Sequence, residues 1–229
     1  MAIKNLKKHS SESIRQYYHS TGLYDSLIYR EISPNKNMSP EERIGNLIQK
    51  IKKNSIKFNK DPNNIQFSNK NLNSKIMIIG DMPSHSDEKN NSLFSDEAGD
   101  LLNKMLQAIS LSTDKVYLTN IVHFYTNENK QNYINQKNIL KKLTHEHIEI
   151  IQPKIIFLLG SLPLEILFGT DYSIAKNRGQ WLQYRTKEST IDTLASFHPN
   201  FLIKQPNQKK NSWVDLQILE QKIKQLNIK

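Results

Sequence analysis

The sequence contains no cysteine and no long apolar run. Without cysteine among its 229 residues, the chain cannot form disulfides, thiolate nucleophiles, cysteine-held zinc sites or thiolate-held iron–sulfur clusters. Its longest apolar run, residues 155–160, is far shorter than the ~20 residues of a membrane span. Residues 1–8 lack the apolar core of a secretory signal. We therefore expect a soluble, cytoplasmic protein with no membrane partner.

The chain also has an excess of positive charge. Its 32 lysines and arginines outnumber 22 acids and give a net charge of +10. An excess of this sign is typical of proteins that bind nucleic acid. Most of the basic residues are lysine, and asparagine and isoleucine are also abundant, as an AT-rich genome would produce without any binding role. Composition alone leaves both explanations open.

Residues 1–73 are predicted to form an N-terminal helical extension with a polar linker. Apolar residues between 14 and 27 follow helical spacing, and Ser39 followed by Pro40 and two glutamates marks the start of another helix. Residues 52–74 are rich in asparagine, lysine and serine and show no apolar period. This second stretch is predicted to be a linker or a long loop.

Residues 74–229 alternate between strand and helix patterns. The predicted strands are residues 75–80, 116–122, 154–160 and 191–197; the predicted helices are residues 101–109, 136–151 and 161–168, and a last helix opened by a capping box at Ser212–Asp215. This order predicts an α/β fold, a three-layer α/β/α domain with a central, mainly parallel four-stranded sheet. In such sheets the ligand lies in the loops beyond the carboxyl ends of the strands.

Six segments in and after these strands carry the motifs of one family, the family 4 (iron–sulfur) uracil-DNA glycosylases, which this chain resembles. The segments are Gly80-Asp81-Met82-Pro83-Ser84 with Leu93-Phe94-Ser95-Asp96-Glu97-Ala98-Gly99-Asp100-Leu101-Leu102, then Val116–Val122, Pro153–Gly160, Arg178-Gly179-Gln180-Trp181, Phe197-His198-Pro199-Asn200-Phe201-Leu202, and Trp213 with Asp215. The resemblance implies the uracil-DNA glycosylase-like fold and hydrolysis of the N-glycosidic bond of uracil in DNA during base-excision repair. It further implies uracil-containing DNA as partner, a monomer, and a place near the nucleoid in a bacterial cytosol.

The resemblance also assigns site residues. The catalytic residues it implies are Asp81 and His198; the substrate-binding residues are Gly80, Met82, Asp87, Phe94 and Asn120; the DNA-binding residues are Ser161, Arg178, Asn200, Phe201, Leu202, Lys204, Lys209 and Lys210. A glycosylase flips its target base out of the stack.

Each implied role has a chemical reason. Phe94 would stack on the flipped pyrimidine, and the carboxamide of Asn120 matches the O4 and N3–H edge of uracil. His198 would donate to O2 as the leaving base gains charge, while Asp81 would orient the attacking water or support the sugar cation. Backbone amides of Met82 and Ser84 are further candidates for base or phosphate contacts. Phe201 and Leu202 are expected to wedge into the duplex.

The departures from the family pattern concern the cluster and the first loop. Members of that family hold a [4Fe–4S] cluster on four cysteines, whereas Phe124 and about Ile139 stand where two of these would lie. No cofactor is therefore expected. Asp81 replaces a longer acid, Met82 a small residue and Ser84 a glycine, which leaves two alternatives open: a non-catalytic DNA-binding descendant, or a glycosylase of altered base preference.

No metal site is expected in the sequence. His145-Glu146-His147 lacks the i, i+4 spacing that places two ligands on one helical face. Most of the seven histidines are expected to face solvent.

Overall fold

The computed structural model describes residues 38–125, Tyr133 and residues 136–228, and their core is one five-stranded sheet. The strands are β1 (Ile76–Gly80), β2 (Tyr117–Asn120), β3 (Ile155–Leu159), β4 (Trp181–Arg185) and β5 (Thr190–Ser196), in the order β2-β1-β3-β5-β4. The first four of these in the sheet are parallel, and β4 pairs antiparallel with β5. Every residue of β1, β2 and β3 is buried, as expected for parallel strands covered on both faces.

Helices cover both faces of the sheet. They are α1 (Pro40–Ser55), α2 (His85–Asn90), α3 (Glu97–Gln107), α4 (Lys137–Ile151), α5 (Ser161–Phe168), α6 (Ile174–Asn177), α7 (Pro199–Lys204) and α8 (Lys209–Gln225), with 3-10 turns at Ile56–Phe58 and Pro206–Gln208. Alternate residues of β1 and β3 point to opposite faces, so two apolar clusters form. One cluster includes α4 and α5, and the other includes α3 and α8. The predicted three-layer α/β/α class is confirmed.

Two local predictions need correction. The sheet has a fifth strand, β4, which the sequence did not reveal because it is a short, partly exposed edge strand. The last helix begins at Lys209, so the predicted capping box at Ser212 and Asp215 is wrong. Both side chains are buried inside α8. The carboxylate of Asp215 accepts hydrogen bonds from Arg178 and Ser196, and therefore does not cap the helix.

The helix start predicted at Ser39 is confirmed. Ser39 and Glu42 form a capping box for α1, and the apolar face of α1 packs on α4. The predicted linker runs along β2, where the N–H of Gln66 donates to the carbonyl of His123 and the N–H of Asn69 to that of Leu118. This segment covers the exposed edge of β2, which would otherwise offer unpaired backbone groups.

The described residues from Ser39 onward belong to one compact unit. The helix predicted between residues 14 and 27 lies outside the described residues. The domain boundary predicted after Asn73 stays a prediction. Within the described part of the chain, no helix is both long and apolar enough to cross a membrane.

Candidate active site

The loops named by the sequence motifs meet at one edge of the sheet. Because β1, β2, β3 and β5 are parallel, their carboxyl ends lie side by side. Asp81 follows β1, Asn120 ends β2, Ser161 follows β3 by one glycine, and His198 follows β5 by one residue. The topology thus brings the four motif loops together.

Gly80 lets two of the predicted base contacts approach each other. It pairs with Asn120 in the register of β1 and β2. A Cβ at Gly80 would collide with Oδ1 of Asn120 and would lie only 2.7 Å from Cζ of Phe94. The missing side chain therefore makes room for the Asn120 carboxamide and the Phe94 ring beside one backbone position.

The carboxamide of Asn120 is buried without a hydrogen-bond partner. The residue is 1% exposed, and neither its Oδ1 nor its Nδ2 has a partner in the structure. More than nine in ten buried polar groups are hydrogen-bonded, and leaving one unmade costs about 1–3 kcal/mol. A donor and an acceptor held side by side in this state are suited to a ligand edge that offers the complementary pair.

The imidazole of His198 presents one free donor. Its Nδ1 accepts the backbone N–H of Asn200 at 3.2 Å, so the neutral ring carries its proton on Nε2. Nε2 is buried and has no partner in the structure. The ring packs nearly parallel to Phe94 with centroids 5.9 Å apart. Burial lowers the pKa of His198 more than the nearby carboxylates, Asp81 first, raise it, so the neutral form prevails at neutral pH.

Asp81 lies against the glycine that follows β3. Gly160 has φ +102°, and a Cβ there would lie 2.6 Å from Oδ1 of Asp81. The backbone carbonyl of Asp81 accepts the N–H of Val122 at 3.1 Å, which continues the β1–β2 ladder past the strand ends. The half-buried carboxylate of Asp81 thus lies at the carboxyl ends of the strands, between the loops after β1 and β3.

Asp87 was predicted to bind substrate, but its carboxylate is fully engaged with the protein. The residue is buried; one oxygen accepts the N–H of Ser84 at 2.9 Å, and the other accepts the N–H and hydroxyl of Ser95 at 2.6 and 2.9 Å. Ser95 directly follows Phe94, which has φ +52°. A bulky side chain in this left-handed region costs of order 1–3 kcal/mol and persists only when its surroundings hold it there. Asp87 thus holds the Phe94 loop in this structure, and its predicted contact with substrate stays a prediction.

The loop after β1 contributes the side chain of Asp81 to the site more than it contributes backbone N–H donors. The N–H of Ser84, predicted to contact base or phosphate, donates to Asp87 instead. Met82 is half-buried and packs against one of the core clusters. The backbone N–H at the end of this loop, that of Ser84, is therefore hydrogen-bonded within the protein.

Arg178, predicted to contact DNA, forms an ion pair with the buried carboxylate of Asp215, and its own side chain is 20% exposed. Its Nη2 lies 2.6 Å from Oδ1 of Asp215, which also accepts from the hydroxyl of Ser196 through Oδ2. Nη2 also donates to the carbonyl of Asn211, and the guanidinium covers the ring of Phe197. Burial raises the pKa of Asp215 despite these partners. Arg178 thus joins α8 to the loop of His198, and its predicted DNA contact stays a prediction.

The remaining predicted DNA contacts divide by exposure. Leu202, expected to wedge into the duplex, is 1% exposed and packs in the core, and its contact with DNA stays a prediction. Phe201 beside it is 40% exposed. The other exposed members of the set are Asn200, Lys204, Lys209 and Lys210, and Ser161 is half-buried at the start of α5.

The histidines are more buried than expected. Four of them, His123, His145, His147 and His198, are buried, so the expectation of solvent-facing rings is wrong. Two of them contact tyrosines: Nε2 of His147 lies 2.6 Å from the hydroxyl of Tyr117, and Nδ1 of His145 lies 2.9 Å from the hydroxyl of Tyr184. Among the described residues no group of three or more histidines and acids is placed to hold a metal ion.

The residues present do not fit a [4Fe–4S] cluster. The chain has no thiolate, and Phe124, the predicted counterpart of one cysteine, is a buried aromatic. Its ring centroid lies 5.0 Å from that of Phe58, which in turn stacks on Tyr133 at 6.1 Å. Ile139, the other counterpart, packs against the contact between α1 and α4.

Two clefts of the described surface differ in their relation to this edge. One of about 780 Å³ lies between α1 and residues 63–73 and contains none of the predicted site residues. Another of about 580 Å³ reaches Phe94 from the side of Leu102 and Asn103. Only the second borders the predicted site, and the unpartnered polar atoms, not cleft size, mark the chemistry.

Ser95 and Asp215 were missed as supports of the site. Both lie within matched motif segments, and both act through hydrogen bonds that join segments distant in sequence. A polar residue directly after Phe94 was the only signal for Ser95, and Asp215 was mistaken for part of a cap.

Comparison with known proteins agrees with the motifs and the geometry. A sequence profile of the Uracil DNA glycosylase superfamily matches residues 67–221, more than half of the chain. A Type-4 uracil-DNA glycosylase of Sulfurisphaera tokodaii is 30% identical over 141 residues, which cover 59% of this chain and 64% of that protein. The chain thus spans slightly less than two thirds of that relative.

Two further Type-4 uracil-DNA glycosylases align over a similar region. The protein of Thermotoga maritima is 28% identical over 62% of this chain and 72% of its own length, and that of Archaeoglobus fulgidus is 22% identical over 61% and 72%. With the three-layer fold and the profile match, these similarities establish that the chain belongs to the uracil DNA glycosylase superfamily.

Proposed function

We propose that the protein hydrolyses the N-glycosidic bond of uracil in DNA and acts in DNA repair. The observation that carries this proposal is the buried, unpartnered carboxamide of Asn120 beside Phe94 and the free Nε2 of His198. These groups offer what a flipped uracil needs: a stacking face, a donor–acceptor pair for O4 and N3–H, and a donor for O2.

In the proposed reaction the bond between C1′ of the sugar and N1 of uracil breaks, and its electron pair leaves with the base. The Nε2–H of His198 donates to O2 and stabilises the charge that develops there. The sugar gains cationic character, and the negative charge of the half-buried Asp81 carboxylate stabilises it. Water then adds its oxygen to C1′ while Asp81 orients it, and its proton is released to Asp81 or solvent and finally to the uracil anion. His198 is suited to donate because burial keeps it neutral with its proton on Nε2.

The proposal requires no cofactor. No step passes through a cluster, because the chain has no cysteine to hold one. The DNA partner, the monomeric state and the cytoplasmic, nucleoid-near location belong to the same proposal. They are supported by the positive net charge and by the names of the aligned relatives.

The test is strand cleavage at uracil. Full-length protein is incubated with single- and double-stranded oligonucleotides that contain one uracil, and abasic sites are cleaved by alkali. We expect cleavage at uracil and none when cytosine takes its place. Binding without release of any base would favour the non-catalytic descendant, and release of a different base would favour altered preference; either result contradicts the proposal.

A further inference from the structure

The outward face of α8 carries an exposed tryptophan beside lysines. Trp213 is 43% exposed and Val214 50%, while the inner face of the same helix buries Ser212, Asp215, Leu216 and Leu219. Residues three and four apart are neighbours on a helix, so Lys210 lies next to both Trp213 and Val214. We call Lys210, Trp213 and Val214 the α8 face. The indole of Trp213 is thus only partly covered by the fold.

The first turns of α8 are joined to the loop that carries His198. The ring of Phe201, just after His198, lies 4.8 Å from that of Phe197. The guanidinium of Arg178 covers Phe197 at 5.4 Å and also donates to the carbonyl of Asn211, two residues before Trp213. Phe201 and Trp213 are thus exposed residues on two helices, α7 and α8, that are both tied to the loop of His198.

The charge of this surface selects a polyanion. Between Pro199 and Val214 the sequence has Lys204, Lys209 and Lys210 and no acid. All three lysines are exposed. The next acid, Asp215, is buried and paired with Arg178. Lysines with interspersed exposed aromatic rings are the combination by which proteins hold single strands: cations contact the phosphates, and rings stack on unpaired bases.

We propose that the α8 face binds the single-stranded DNA that flanks the flipped nucleotide, with Trp213 as the stacking platform for one unpaired base. The proposal rests on the proposed function for the identity of the strand. It extends the contact surface beyond Phe201 and the lysines to a residue that the motifs place only in a closing helix. Because a duplex keeps its base faces stacked on each other, the α8 face favours a single strand over a duplex.

The test uses intrinsic fluorescence and uracil-free DNA. The chain has two tryptophans, Trp181 and Trp213. In the full-length Trp181→Phe variant, Trp213 is the only indole, so titration with single-stranded oligo(dT) should quench its emission, and a duplex of the same length should quench it less. Affinity measured by anisotropy of labelled oligo(dT) should fall roughly 5- to 100-fold in Trp213→Ala and be partly restored in Trp213→Phe, which keeps an aromatic face.

Val214→Ala is the matched control, because it removes a neighbouring side chain of similar exposure without a π-face. Its affinity should stay within about twofold of wild type, and the melting temperatures of both alanine variants should match wild type. Absence of quenching, or equal weakening by Val214→Ala and Trp213→Ala, would overturn the proposal. So would a dimer in light scattering that Trp213→Ala abolishes without loss of oligo(dT) binding. Uracil-free DNA keeps this test separate from catalysis: quenching without uracil cleavage would contradict only the proposed function, and cleavage without quenching only this inference.

Discussion

Two buried histidines of this molecule, His147 and His198, differ in whether their Nε2 atom has a hydrogen-bond partner. Nε2 of His147 lies 2.6 Å from the hydroxyl of Tyr117, and its ring stacks on Phe67 at 4.5 Å. Nε2 of His198 is also buried but has no partner, while its Nδ1 accepts the backbone N–H of Asn200. A satisfied imidazole contributes to packing, whereas one oriented by a backbone bond and left with a free donor is prepared for a ligand.

The largest expected effect separates these two histidines. His198→Ala removes the donor to uracil O2 and should lower the single-turnover rate of uracil release by ~10²–10³-fold, with little change in DNA affinity, since the bond strengthens only as charge develops. His147→Ala leaves the Tyr117 hydroxyl buried without its partner and should lower the free energy of unfolding by about 1–3 kcal/mol, with a nearly unchanged rate. Rate, affinity and melting temperature are measured for both variants; an equal loss of rate in both would erase the distinction.

A smaller effect is expected from the support of Phe94. Asp87→Asn places an amide where the carboxylate accepts from Ser84 and Ser95, so one N–H must face another and the Phe94 loop should shift. We expect roughly a 10- to 100-fold loss of rate, the size of effect that misplacement by about 1 Å produces.

The control for Asp87 is Glu88→Gln, which removes the same charge from the next residue of α2 and should leave the rate near wild type. If Asp87 acts through Phe94, then Phe94→Ala should lower the rate much less in the Asp87→Asn background than in wild type. Strictly additive losses would show that the carboxylate does not act through the ring.

Acid sensitivity gives the smallest effect per pH unit and does not involve the reaction. Burial lowers the pKa of His123 and of His145 to about 4 and that of His147 well below its usual value. Below the unfolded pKa of ~6.5 the unfolded chain binds protons that the fold excludes, so stability is full above pH ~6.5 and falls towards pH 4.

The contribution of a single histidine to this pH dependence of stability can be measured. Each histidine that stays neutral should contribute about 1.4 kcal/mol per pH unit within that window. His147→Gln, which keeps an acceptor for Tyr117, should reduce the slope of the unfolding free energy by about that amount in urea titrations at pH 4–7. An unchanged slope would mean that His147 is already protonated in the fold.

The sequence predicted the fold class because that class depends on local pattern. The buried strands β1, β2 and β3 are recognisable as apolar runs, and parallel strands must place their carboxyl ends together. The sequence did not reveal the long-range hydrogen bonds around the candidate site. Nothing local distinguishes Asp87 as a support of Phe94 from Asp87 as a base contact, or a paired Arg178 from a phosphate ligand.

Burial was the second feature that the sequence did not reveal. Leu202 and Phe201 are adjacent and both apolar, yet one is in the core and the other is exposed, because α7 turns only one of them towards α3. The same reason explains Trp213, whose place on the outer face of α8 depends on the helix starting at Lys209. Residue type alone does not determine which side of a short helix faces solvent.

The most direct measurement observes the two unpartnered groups themselves. In ¹⁵N-labelled full-length protein, NMR resolves the side-chain amide of Asn120 and the Nε2–H of His198, each assigned by its loss in Asn120→Ala or His198→Ala. Titration with millimolar free uracil should shift both signals together, and cytosine, whose edge presents the opposite donor–acceptor order, should leave them nearly unchanged. If uracil shifts neither signal, or if cytosine shifts both equally, these groups do not form a uracil-binding edge and the account fails.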